Sequence, residues 1–406
     1  MKKNKIMLKS ITLENFYSFA EPTKIEINSG INVLIGINGS GKSNFLKAIE
    51  LLYESIAGIG LEKIFLRDWG GFENVANFST QKDYIKLTYE FDKTYLKEIE
   101  GFKFKTNILY EITIHKIGET NYSLSERLSS INQNRNPPFV YLEINNSKGQ
   151  VSTREKEGKT GLQYYSKSDF KASEPVLRQL SDPERFYPQF TFRKAIEKIA
   201  VYGYFDTGKD SAIRKPAAFS IDKTLLTNGL NIASLLNDIK NNHSLDYDKI
   251  EKKLRKVNPN FKEIAFSLFS SNIILALREE ALNKAIMVSN LSDGTLRYIL
   301  LMAIFYNPDR GSLICLDEPE IGLHPDMISL IGESLIESSN KTQYFIATHS
   351  PLVLNQFEIE DLLVFEKDDL NQSIVKKYKE EDFQSWLENY STGQLWVSGL
   401  IGGKRW

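Results

Sequence analysis

The chain reads Gly36-Ile37-Asn38-Gly39-Ser40-Gly41-Lys42-Ser43 directly after the apolar run Val33-Leu34-Ile35. Far downstream it reads Leu313-Ile314-Cys315-Leu316-Asp317-Glu318-Pro319-Glu320. An isolated glycine-rich segment is a mere turn, but the complete pattern between a strand-like run and a helix-like run implies a phosphate loop. Its glycines expose consecutive backbone N–H groups to phosphate, and Lys42 neutralises charge on the β- and γ-phosphates. The expected nucleotide-binding residues are Asn38, Gly39, Ser40, Gly41, Lys42, Ser43 and Asn44, with Ser43 also placed to bind Mg²⁺. The second stretch ends a strand in adjacent carboxylates. Asp317 is expected to hold Mg²⁺ through water, and Glu318 to orient and polarise the attacking water. Together the motifs imply nucleotide hydrolysis.

Composition narrows the class. With 406 residues, 41% hydrophobic and 25% charged, the chain is long enough for more than one domain, or for one domain with a large insertion, and belongs with soluble globular proteins. No apolar run reaches the length of a membrane span and no export signal is visible, so a cytoplasmic protein with no membrane partner is expected. The 51 basic and 52 acidic residues nearly cancel, which neither requires nor forbids nucleic acid. Lys252-Lys253-Leu254-Arg255-Lys256 could meet phosphates or form a solvated helix face. Cys315, the only cysteine, reads as a packed core thiol, and the four histidines show no zinc-site spacing.

Short apolar stretches over residues 6–35 read as strands feeding the loop. Leu46, Ile49, Tyr53 and Ile56 recur at helical spacing after it. Ile85, Leu87, Tyr89 and Phe91 alternate, Ile108 to Ile114 behaves similarly, and Phe139 to Ile144 adds another strand, so an antiparallel sheet is expected. Asn132 to Pro138 and Gly149 to Gly161 read as loops, and Pro188 to Leu282 as mainly helical. Apolar strands at Leu313, Tyr344 and Leu362, separated by helices, imply a sheet covered on both faces. Leu291-Ser292-Asp293-Gly294 opens a helix, where Ser292 and the Gly294 N–H form either an anion site or an ordinary cap. Ala347-Thr348-His349-Ser350 places His349 at a strand tip, within reach of a γ-phosphate or the attacking water.

In this order, the elements make the chain resemble the ATP-binding-cassette ATPases of the chromosome-maintenance and recombination-repair type. More closely, it resembles the smaller AAA-family proteins of bacterial defence systems, with RecF-like or overcome-lysogenization-defect-like heads. The resemblance covers residues 6–57 and 288–366. It implies that Gly36 to Ser43 is the phosphate loop, Ser292-Asp293-Gly294 the signature motif, Asp317-Glu318 the Walker B acidic tip and His349 the switch histidine. Glu320-Ile321-Gly322-Leu323-His324-Pro325 matches the turn that follows the acidic pair in this branch. The implied fold is α/β, a P-loop NTPase of the ABC-ATPase head type with an antiparallel β subdomain and a helical insertion. Residues 1–180 are expected to form an N-terminal ATPase lobe, 181–287 the helical insertion, and 288–406 a C-terminal lobe with an aromatic tail.

The resemblance further implies ATP and Mg²⁺ as cofactors and a head-to-tail dimer or larger assembly. In it Ser292 and Gly294 of one subunit face Lys42, Ser43, Asp317, Glu318 and His349 of the other. Glu318 and His349 would be catalytic, Ser43 and Asp317 the metal residues. The implied role is the sensor or motor ATPase of an anti-phage module, working with a separately encoded nuclease or toxin effector. A RecF-like repair ATPase that binds DNA and a slow-turnover nucleotide-gated scaffold are the competing readings. Asn15-Phe16-Tyr17-Ser18-Phe19 lacks the arginine common in relatives. The glutamine of such heads is matched only weakly by Gln81, and Arg67 to Glu73 is either its structural replacement or a surface turn. Trp386, Trp396 and the stretch 399–406 are expected either to pack on their own domain or to dock an effector.

Overall fold

A computed structural model describes residues 6–131, 137–154, 160–166 and 169–402. It divides into two compact units, one built from residues 6–199 and 363–377 with Gly402, the other from residues 200–362 and 378–401.

The first unit contains an eight-stranded antiparallel sheet. In spatial order its strands are Thr23–Glu26, Leu8–Glu14, Tyr84–Phe91, Ile108–Ile117, Asn121–Ser130, Val140–Asn145, Lys148–Arg154 and Thr160–Tyr165. The alternation at Ile85, Leu87, Tyr89 and Phe91 has the expected cause, since all four side chains are buried on one face. Helices cover that face. Tyr89 Oη donates to Ala48 O at 2.6 Å on the helix Lys42–Ile56, and Phe91 packs edge-on against Phe192 of Tyr187–Ile196. The fully buried strand Ile31–Ile35 leads into the phosphate loop. Leu362–Lys367 lies beside it and pairs antiparallel with Ser373–Lys376.

In the segment expected as a loop over Gly149 to Gly161, residues 149–154 and 160–161 are paired strands, and residues 155–159 lie outside the described residues. Asn146 and Ser147 take φ of 48° and 61°, a tight left-handed turn that lets the strand resume at Lys148. Asn132 to Asn136, the centre of the other expected loop, lie outside the described residues.

In the second unit Leu313–Asp317 pairs in parallel with Gln343–Ala347, Asp317 opposite Ala347. The helix Pro325–Ser338 makes the crossover that a parallel pair requires. The helix Asp293–Tyr306 is buried continuously from Leu296 to Tyr306, as its nearly all-apolar sequence dictates. Residues 200–287 contain the helices Ile232–Asn242 and Ser244–Val257, and also an antiparallel ladder of Phe261–Phe269 with Asn272–Glu279. Ile273, Leu275 and Leu277 point inward from that ladder. Its period was hidden because Ile274 and Ala276 interleave with them, so residues 273–277 run apolar without a break. Among the described residues no helix is long and apolar enough to cross a membrane.

Candidate active site

The phosphate loop is shaped by close backbone approach. Gly39 and Gly41 have φ of 79° and 110°, where a side chain would be strained. At Gly36 a Cβ would stand 2.3 Å from Phe365 O, so only glycine fits beneath the neighbouring strand. Gly41 caps the helix Lys42–Ile56 without any side-chain hydrogen bond, the open helix start an anion needs. Lys42 Nζ donates to Gly36 O at 2.8 Å and Ile37 O at 3.2 Å, which curls the ammonium over the loop. Ser373 Oγ donates to Ser40 O at 2.6 Å and lies 2.7 Å from Ser18 Oγ, and Asn44 Nδ2 donates to Ser18 Oγ at 2.8 Å. Ser40 Oγ is buried with no hydrogen-bond partner among the described residues. An unfilled hydroxyl, an uncapped helix start and a lysine curled over the loop carbonyls of Gly36 and Ile37 together fit a bound phosphate chain.

Beside this loop a cleft of about 290 Å³ is lined by Tyr17, Ser18, Asn44, Asn77, Lys367 and Asn371. Where an arginine was missing, Lys47 of the first helix stacks instead, its Nζ 4.4 Å from the Tyr17 ring centre and 5.5 Å from that of Trp69. Burial pushes the Tyr17 hydroxyl up to about 12, with the Glu50 charge adding to it. Arg67 to Glu73 is therefore more than a surface turn. It closes a π-helical stretch, Glu62–Asp68, and delivers Trp69 against Phe16 and Tyr17. Gln81 is exposed.

In the second unit the strand Leu313–Asp317 ends at Glu318, whose φ of 48° is rare for a residue with a side chain. Its N–H donates to Ala347 O at 2.8 Å, which holds the sharp exit. Glu318 Oε1 lies 3.5 Å from His349 Nε2, and both side chains are about one-third exposed, at 37% and 32%. The expected water-activating carboxylate and switch histidine thus meet at adjacent strand tips. Glu320 turns inward, where it accepts a hydrogen bond from Thr348 Oγ1. Burial pushes its carboxyl up, against the opposing pull of Thr348 and of the Glu320 and His349 backbone N–H groups. Cys315 is fully buried in the strand core.

Ser292 caps the helix Asp293–Tyr306, its Oγ accepting from Thr295 N at 3.1 Å and lying 2.7 Å from Thr295 Oγ1. A Cβ on Gly294 would stand 2.8 Å from Gly322 O, so the signature glycine allows close approach to the turn after the acidic pair. Sequence reasoning missed the arginines that hold this region. Buried Arg214 donates to Val288 O and Leu291 O at 2.9 and 2.7 Å and pairs with Asp293 at 2.6 Å. Buried Arg297 donates to Ile321 O and, at 3.1 Å, to Phe205 O. Carbonyl partners leave no local pattern, so no sequence signal could have found these roles.

Of the basic side chains in the run 252–256, Lys253 is buried, while Lys252, Arg255 and Lys256 are exposed. Lys253 pairs with Glu333 and Glu337 at 3.1 and 3.0 Å, Lys256 with Glu333 at 2.9 Å, and Arg255 with Glu251 at 3.0 Å. Trp396 is buried and Trp386 is 44% exposed. Gly393 approaches the Pro351 carbonyl so closely that a Cβ would stand 2.3 Å from it, so this tail packs on the helix that follows His349. Residues 403–406 of the tail lie outside the described residues.

Comparison with known proteins agrees with this architecture. The chain is 22% identical over 399 residues to the "Retron Vc95 probable ATPase" of Vibrio cholerae serotype O1 biovar El Tor, covering 89% of this chain and 73% of that protein. It is 22% identical over 386 residues to an ATP/GTP phosphatase of Helicobacter pylori, with 93% of each covered. In structure it matches the Smc head crystallised with the C-winged helix domain of ScpA, with TM-score 0.57 and 14% identity over 93% of this chain and 99% of that one. The model of the family described as "AAA domain, putative AbiEii toxin, Type IV TA system" matches residues 31–355, so the chain belongs to that family and is an ATPase with the P-loop head fold of the Smc type.

Proposed function

We propose that this ATPase uses Mg²⁺-ATP to make and break a head-to-tail dimer that controls a separately encoded nuclease or toxin effector in an anti-phage module. Asn38 to Asn44 hold the phosphates, and the polar cleft beside Asn44 suits the nucleoside. Ser43 and Asp317 would hold Mg²⁺, which would supply positive charge against the phosphates. Glu318 takes a proton from the attacking water, and His349 holds that water against the phosphate. Ser292 and the Gly294 N–H serve the partner subunit's nucleotide, so catalysis depends on association.

The observation that carries the chemistry is the 3.5 Å approach of Glu318 and His349 at the end of a buried strand. The toxin–antitoxin description of the family and the retron relative support an effector partner. A DNA-repair role draws less support, because Lys253 is buried and the exposed Arg255 and Lys256 are paired with carboxylates, which lowers the charge this run offers a duplex. The test is phosphate release and solution mass of the full chain, with and without Mg²⁺-ATP, alone and coexpressed with the product of the neighbouring gene. Mg²⁺-dependent turnover, a doubled mass and a retained partner are expected. A monomer at every nucleotide condition with brisk turnover would sink the dimer, and turnover driven by duplex DNA would favour repair.

A further inference from the structure

The turn after the acidic pair holds a carboxyl group that the chemistry above does not use. Glu320 stands beyond Glu318 and Pro319 and faces the loop Thr348-His349-Ser350. Thr348 is fully buried. Its hydroxyl donates to Glu320 Oε1 and accepts from Ser350 N at 3.0 Å. The His349 backbone N–H also reaches the Glu320 carboxyl. One side chain therefore grips both residues of the loop that present the imidazole to Glu318. The other oxygen, Oε2, is buried without a protein partner among the described residues.

A buried carboxyl with one unsatisfied oxygen is a poor device for stability, since an unpaired buried acceptor loses its hydration with nothing in return. An apolar side chain would fill the same space at less cost, but it could not hold Thr348 and the His349 N–H together. The turn is itself anchored, because Arg297 donates to Ile321 O and the signature Gly294 packs against Gly322. Glu320 thus stands between a fixed turn and the loop whose position decides where the imidazole sits.

We infer that Glu320 is a positioning residue for hydrolysis, clamping the Thr348-His349 loop so that His349 meets Glu318. The inference rests on the assignment of Glu318 and His349 as the water-activating pair. Glu320 touches no reacting atom in this role, and its amide counterpart keeps the needed acceptor oxygen.

The test compares Glu320→Ala, Glu320→Gln, Thr348→Val and Thr348→Ser in the full chain, with Glu318→Gln and His349→Ala as reference variants. Phosphate release gives kcat and KM, and a fluorescent ATP analogue gives nucleotide affinity. Glu320→Ala and Thr348→Val should each lower kcat about 10- to 100-fold with KM and affinity within about twofold, because only alignment in the transition state is lost. The double variant should be no slower than the slower single one, since both remove one contact. Glu320→Gln and Thr348→Ser should recover most of the rate.

A wild-type kcat in Glu320→Ala, or a Glu320→Gln as slow as Glu320→Ala, would overturn the clamp. If Glu320→Ala does not fold, the Thr348 pair decides from the other side of the contact: equal rates for Val and Ser overturn it. Failure of the underlying pair is distinguishable. Glu318→Gln and His349→Ala would then both turn over normally, whereas loss in those two with an unaffected Glu320→Ala rejects only the clamp.

Discussion

The phosphate loop and the turn after Glu318 each follow a buried strand, yet they are built by opposite means. From Gly36 to Lys42 the shape is carried by backbone: positive φ at Gly39 and Gly41, close approach at Gly36, and carbonyls that receive Lys42. From Glu318 to Gly322 it is carried by side chains brought from distant sequence, with Thr348 on Glu320, His349 beside Glu318 and Arg297 on Ile321. A backbone cradle binds whatever phosphate it is offered, while a side-chain turn can be reset when its partners move. On the proposed function, the first would hold the nucleotide and the second would decide when it is cleaved.

The largest effect should come from removing the charged side chain of the cradle. Lys42→Ala is expected to abolish detectable nucleotide binding by the fluorescent analogue, because the loop keeps its N–H groups but loses its countercharge. Glu318→Gln should do the reverse, preserving affinity while turnover falls about 10³-fold or more, since the amide keeps the shape but cannot take the water's proton. Near-normal turnover in either variant would erase the division between holding and cleaving. A Glu318→Gln chain that also accumulates as an ATP-bound dimer on size-exclusion chromatography would sharpen it.

Next in size is the signature cap. Ser292→Arg should leave nucleotide affinity intact and remove most turnover, because the bulky cation stands where a partner's phosphate would approach. Mixed with Glu318→Gln, it should regain activity at no more than one composite site per dimer. Normal hydrolysis by Ser292→Arg at every protein concentration would contradict a signature supplied by the partner. Arg214→Ala reaches the same loop from behind. It leaves the Val288 and Leu291 carbonyls without their donor, so a loss of about 3 kcal/mol in urea unfolding is expected. A loss under about 0.5 kcal/mol would show that the loop holds itself.

These contrasts explain what could be read in advance. The phosphate loop, the acidic strand end and the strand before His349 were legible because their information is contiguous: an apolar run followed at once by the functional residues. Arg214 and Arg297 were not, because Asp293 lies 79 residues from Arg214, and Phe205 lies 92 residues from Arg297. The charge of the run 252–256 was legible, but its fate was set by Glu333 and Glu337 on another helix. The hairpin after Asn145 was lost in a polar stretch, since Asn146 and Ser147 read equally well as loop and as a left-handed turn.

The smallest expected effect on turnover lies in the antiparallel sheet, where a side chain is again asked to hold a loop, this time far from any chemistry. Glu126 is buried in the strand Asn121–Ser130 and accepts from Tyr110 Oη at 2.9 Å, Val176 N at 2.6 Å and Leu177 N at 3.1 Å. Burial pushes its carboxyl up to about 7 from the ordinary 4.5, although Tyr110 and both N–H groups favour the charged form. A raised pKa means that the folded chain keeps this proton where the unfolded chain has released it. The stability it confers is therefore full below 4.5 and is lost as pH rises through about 7. Across that window the change is on the order of 3 kcal/mol for a wholly buried group. Glu126→Gln cannot titrate and should lack this fall. Urea unfolding between about pH 5 and about pH 8 should show wild type losing ground to the variant as pH rises, with phosphate release at each pH changing in parallel for both proteins. A stability difference that stays flat across the range would mean the carboxylate is charged throughout, satisfied by its three donors. Glu126 would then hold its loop as a fixed anion, and the contrast with Glu320, where one carboxyl oxygen is left without a partner, would be sharper still.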